Sequence, residues 1–147
     1  MASYYPVRSH LRLLPAIAAG GALGSLARWG VGEALPHGVA EFAWSTFLVN
    51  VSGAFLIGIL MAFTLGPWAH HVYLRPFLGV GFLGGYTTFS TYMLDTRNVL
   101  ASSHPGTALL YLFGTVVAGI GAAAVSLAVT LDLLAKRAEE RAAEESA

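Results

Sequence analysis

The groups able to do chemistry in this chain are hydroxyls, amides and aromatic rings set inside apolar sequence. Most of them gather in one stretch. Residues 81–95, GFLGGYTTFSTYMLD, carry Gly84 and Gly85 and then Thr87, Thr88, Phe89, Ser90, Thr91 and Tyr92. A helix facing lipid has no use for such a run. Glycine costs a helix interior about 1 kcal/mol relative to alanine, and two in a row before hydroxyl and β-branched residues predict a break over residues 84–88. Non-helical backbone at membrane depth persists only where protein or water satisfies it. The freed carbonyls can coordinate a buried alkali cation. Alternatively, the glycines make a packing surface and the hydroxyls bond back to the preceding turn. Phe89 and Tyr92 stand three apart and face the same way on a helix. They fit core or lipid packing, or a role in which the positive edges of the rings meet an anion.

Three further groups lie outside that stretch. Asn50 sits mid-run in STFLVNVSGAF, with Thr46 four residues before it on one helical face and Gly53 leaving room beside them. An amide in hydrocarbon must find a partner. Asn50 is then either an interhelical hydrogen bond worth about 0.6–2 kcal/mol, or an uncharged pore donor with two N–H groups. Arg28 lies in the later half of an apolar run, where a charge costs roughly 2.5–3.5 kcal/mol. It either snorkels to the interface beside Trp29 or faces a watery vestibule that draws anions. Tyr111 and Thr115, spaced i, i+4, either bond a neighbouring helix or add hydroxyls to a polar track.

The elements that must position these groups are membrane spans. The chain has 147 residues, 56% hydrophobic and 11% charged, against about 25% charged in a soluble domain. Its mean hydropathy is +0.65. Runs at 11–34, 42–65, 72–100 and 107–134 each meet the roughly 20 apolar residues that a crossing helix needs. The linkers LPHGVAE, GPWAHH and SSHPG are short and hold Pro or Gly, so consecutive spans run antiparallel. GGALG, with Gly20 and Gly24 four apart, is a close-packing signal, and Trp44 and Trp68 fall where aromatic belts sit. The expected organisation is an N-terminal segment (1–10), a four-helix transmembrane domain (11–134) with its third helix broken, and a charged tail (135–147) read as a solvated helical end. The N-terminal arginines precede a run too long for a signal h-region, which predicts a retained first span.

Several classes are excluded. Formal net charge is zero, and nothing points to nucleic acid. Cysteine is absent, which removes disulfides and thiolate metal sites. Glu33, Glu41, Asp95 and Asp132 fall near span ends, and His10, His37, His70, His71 and His104 fall in ends or loops. A proton relay wants such groups inside the bilayer. There is no Ser–His–Asp set and no phosphate loop, so an enzyme is not expected. Lys and Arg counts favour the side holding Arg8, Arg12, Arg75, Lys136, Arg137 and Arg141 over the side holding Arg28 and Arg97, which predicts termini in the cytoplasm.

GGALGSLARWG, STFLVNVSGAFLIG and GFLGGYTTFSTY, in that order over nearly the whole chain, resemble the Fluc family of fluoride channels. The resemblance implies a multi-pass protein of a prokaryotic plasma membrane that passively exports fluoride and relieves its toxicity. It implies an antiparallel, dual-topology dimer with two fluoride pathways lined by both subunits. That dimer is either a homodimer or a heterodimer with an inverted paralogous subunit. Under it, Asn50 is the pore asparagine, and Phe89 is the first of two aromatic residues whose edges meet fluoride. Tyr92 stands where the family usually has a second Phe, a departure that adds a hydroxyl. Gly84 and Thr87 match carbonyls holding a central structural Na+ at the dimer interface. Thr46, Ser90, Thr91, Tyr111 and Thr115 supply hydroxyls, and Arg28 matches a vestibule arginine. Two other readings compete. One is a small four-helix proton-coupled multidrug exporter, for which Glu33 lies too near a span end. The other is a non-transporting scaffold subunit.

Overall fold

A computed structural model describes residues 11–68 and 71–145. The readings placed on Arg8, His10, His70 and the whole 1–10 segment lie outside the described residues. Every regular element among those residues is helical. Helix α1 (Leu14–Ala34) carries Pro15 in its first turn, where the missing N–H costs nothing. Helix α2 (Trp44–Leu65) is one of two helices long and apolar enough to cross a membrane. The third segment begins as a wide π-helical coil (Pro76–Leu83) and tightens into the single turn α3 (Gly84–Tyr86). It resumes as α4 (Phe89–Ala101). Between them Thr87 (φ −76°, ψ 158°) and Thr88 (φ −148°, ψ 125°) are extended.

Helix α5 (Pro105–Glu145) is the other span-length helix. Its 41 residues reach about 60 Å at 1.5 Å per residue, twice the roughly 30 Å hydrocarbon core. The expected fourth span and charged tail are therefore one continuous rod. Ser103, at φ 63°, turns the chain into α5, and Pro105 starts it.

Helix α2 packs most extensively along α5, and α1 packs on the π-helical coil and α3. Glycine makes both contacts possible. A Cβ on Gly24 would lie 2.0 Å from the Phe82 carbonyl oxygen, and one on Gly20 would lie 2.3 Å from that of Phe77. Across α2 and α5, a Cβ on Gly58 would meet Ser126 Oγ at 2.0 Å. Real Cβ atoms do not approach so closely, so backbones touch where the GGALG spacing predicts tight packing. The compact centre is small: Ala43, Tyr92 and Tyr111 are buried, with Phe42, Phe47 and Leu112 packed against them. Phe55, Leu56, Leu110, Val117 and Ile120 are exposed on the outer surface, as suits a surface bathed in lipid rather than water.

Candidate functional site: the interrupted third segment

The interruption is held by two side chains. Asn50 on α2 donates from Nδ2 to the Thr88 carbonyl at 3.0 Å and accepts at Oδ1 from the Thr88 N–H at 2.9 Å. Each backbone group has one role, so this pairing fixes which way the amide points. Thr88 then caps α4: its Oγ1 accepts from the Thr91 N–H at 3.2 Å and donates to Thr91 Oγ1 at 3.0 Å. A side-chain oxygen bonding the N3 amide is the favoured way to start a helix.

These two captures have a consequence for the backbone one turn earlier. In a continuous helix the Thr88 amide would serve the Gly84 carbonyl, and the Thr91 amide would serve that of Thr87. Here Asn50 takes the first and the Thr88 hydroxyl takes the second. The Thr87 amide and hydroxyl both turn to the Leu83 carbonyl, at 3.0 and 2.8 Å. Gly84 is exposed, and a Cβ there would meet nothing within 4 Å.

A cavity lies against each member of the Asn50–Thr88 pair. One, of about 510 Å³, is lined by Arg28, Trp29, His37, Thr46, Thr88 and Thr91 among others. The other, of about 250 Å³, is lined by Asn50, Gly53, Gly84 and Thr87 among others. The half-buried Arg28 thus opens on the same space as the hydroxyls of Thr46, Thr88 and Thr91. Ser90 and Thr91 are exposed on the first turn of α4.

The aromatic pair divides. Phe89 and Tyr92 have ring centroids 6.0 Å apart, tilted by 57°, yet Phe89 is 75% exposed and Tyr92 only 4%. Phe89 projects outward from the subunit. Tyr92 packs 5.3 Å from the ring of Tyr111 and donates its hydroxyl to the Leu112 carbonyl. The i, i+3 spacing keeps the rings in contact but does not give them a common exposure.

The fourth-span hydroxyls turn inward. Thr115 donates to the Tyr111 carbonyl at 2.6 Å. Tyr111, fully buried, donates to Asp95 Oδ2 at 3.4 Å, and Thr46 donates to the same oxygen at 2.8 Å. His37 approaches the other carboxylate oxygen at 3.7 Å and also contacts Ser45. Asp95 therefore knits α2, α4, α5 and the α1–α2 linker. Sequence reading treated it only as an acid near a span end. The signal was there: a carboxylate within an apolar run must find donors. A second unforeseen contact joins Ser52 to the Tyr86 hydroxyl at 3.0 Å.

Two span-length apolar helices and an apolar exterior fit an integral membrane protein. The family described as "CrcB-like protein, Camphor Resistance (CrcB)" matches residues 15–127, and the chain belongs to that family. It is 45% identical over 132 residues to a Streptomyces avermitilis protein named fluoride-specific ion channel FluC 3. That match covers 88% of this chain but only 65% of the relative. A Nocardia farcinica fluoride-specific ion channel, FluC 2, is 48% identical over 108 residues, covering 74% of this chain and 77% of the relative. A Thermobifida fusca FluC 2 is 43% identical over 129 residues, covering 88% and 96%. The relatives are named as channels, not as enzymes.

Proposed function

We propose that the chain is a subunit of a fluoride-selective channel that lets fluoride leave the cytoplasm down its gradient. The observation that carries this reading is the Asn50–Thr88 clasp, which sets an uncharged amide and a hydroxyl on two otherwise mainly apolar cavities, Thr88 lining one and Asn50 the other. Fluoride is small and strongly hydrated, so a pathway must replace its water with donors, and neutral donors release the ion again. The clasp uses one N–H of Asn50 and leaves the second. Thr91 accepts from Thr88 and keeps its own hydroxyl proton. Arg28, in the wider cavity, raises the local anion concentration without sitting in the narrow part. Thr46 and Tyr111 direct their protons to Asp95, so they act by holding that carboxylate rather than by meeting the ion.

Phe89, exposed on a single subunit, is suited to a pathway completed by a second copy. The reading is an antiparallel dimer, with Phe89 offering a ring edge to the ion. The Gly84 and Thr87 carbonyls, whose helical donors are taken elsewhere, suit a hard cation such as Na+, which would tie two interruptions together at the dimer centre. Replacing sodium by a bulky organic cation should then shift the purified protein toward the single subunit on size exclusion. An unchanged dimer would remove the sodium from the account. Fluoride release from proteoliposomes tests the channel itself.

A further inference from the structure

At the end of the subunit where α2 stops, the molecule carries a cleft lined by arginine and tryptophan that shares no residue with the cavities at Asn50 and Thr88. Trp68 stacks on Phe63 with centroids 4.4 Å apart and planes 25° apart. It lines a cavity of about 530 Å³ with Arg137 and Arg141, which lie one turn apart on α5. Trp68 also lines a second cavity, of about 300 Å³, with His71 and Arg75. Glu139, Glu140 and Glu144 share these turns of α5 but do not pair with the arginines, whose guanidinium groups keep their donors for another partner. Lys136 is held by Asp132 at 2.7 Å, whereas Arg75, Arg137 and Arg141 form no ion pair among the described residues.

The depth of the cleft selects its occupant. Helix α2 ends at Leu65 and the apolar run of α5 ends near Leu134, so Trp68 and Arg137 sit within about a turn of the hydrocarbon boundary. Tryptophan belongs at that level, and basic side chains there attract anionic lipid at about 1 kcal/mol each. Guanidinium groups match phosphate oxygens as paired donors. We propose that this cleft binds the headgroup phosphodiester of an anionic phospholipid, with Arg137 and Arg141 on the phosphate and Trp68 against the glycerol and upper acyl chain.

The test uses the full chain with Trp29→Phe and Trp44→Phe, so that Trp68 alone fluoresces. The protein is reconstituted in phosphatidylcholine–phosphatidylglycerol vesicles in which one lipid or the other is brominated, at equal bromolipid content. Brominated phosphatidylglycerol should quench Trp68 at least about twofold more than brominated phosphatidylcholine. Arg137→Gln with Arg141→Gln, both exposed positions, should bring the ratio to one. Equal quenching by the two lipids in the protein with its arginines intact overturns the proposal. So does a preference that survives both substitutions. Loss of the preference on adding millimolar inorganic phosphate would make this a site for free anions and overturn the lipid assignment.

Discussion

Asn50 holds Thr88 by both of its backbone groups, donating to the carbonyl at 3.0 Å and accepting from the amide at 2.9 Å. Asn50 thereby takes the amide that a continuous helix would give to the Gly84 carbonyl, and it fixes where the third segment breaks. Asn50→Asp keeps the acceptor but sets a carboxylate against the Thr88 carbonyl and against any anion. Fluoride flux should fall at least tenfold, equivalent to ~1.4 kcal/mol or more on the barrier, measured as initial efflux from proteoliposomes. Flux within twofold of the parent would take Asn50 out of the pathway.

Phe89 contributes little to the subunit's own core, being three-quarters exposed. Phe89→Ile should therefore leave expression and the size-exclusion profile intact while stopping flux, since the aliphatic side chain has no positive edge to offer. Undiminished flux would exclude Phe89 from ion contact.

Tyr92 gives the opposite expectation. Tyr92→Phe keeps the buried ring against Tyr111 and loses only the hydroxyl bond to the Leu112 carbonyl. A stability loss of about 1 kcal/mol, read as a small drop in thermal midpoint, should come with flux close to the parent's. Abolished flux at unchanged stability would show that the hydroxyl acts on the ion.

Gly24 and Gly30 occupy the same helix with different surroundings. A methyl group on Gly24 collides with the Phe82 carbonyl, and one on Gly30 meets nothing within 4 Å. Gly24→Ala should cost about 1–3 kcal/mol or more by overpacking, and Gly30→Ala should be neutral or slightly stabilising. Thermal unfolding in detergent compares them. Equal midpoints would show that α1 can move off the π-helical coil freely.

Much of this architecture was legible because hydropathy and glycine are local signals. The runs at 42–65 and 107–134 fall on the two span-length helices, and the Gly20–Gly24 spacing marks the α1 face that touches the third segment. Asn50 stood out because a lone amide in an apolar run needs a partner, although nothing local named Thr88, 38 residues on. That Asp95 needs donors was legible, but its partners were not: its hydroxyl partners lie 49 and 16 residues away and meet only when α2, α4 and α5 pack. The π-helical coil at Pro76–Leu83 also escaped, because its composition is that of any apolar helix. The separation of Phe89 from Tyr92 depends on Tyr111 burying one of two rings that sequence spacing makes equivalent. The helical tail runs on to Glu145 because its Ala, Glu, Lys and Arg residues are strong helix formers, with no lipid needed to hold them.

The account rests on selective fluoride conduction, and efflux from liposomes tests it most directly. Purified protein is reconstituted with potassium fluoride or potassium chloride inside, valinomycin carries the counter-ion, and an ion-selective electrode records release. The account predicts rapid fluoride release with chloride release near that of protein-free liposomes. Fluoride release no faster than in protein-free liposomes, from a preparation that remains folded, would contradict it, as would chloride leaving at a comparable rate.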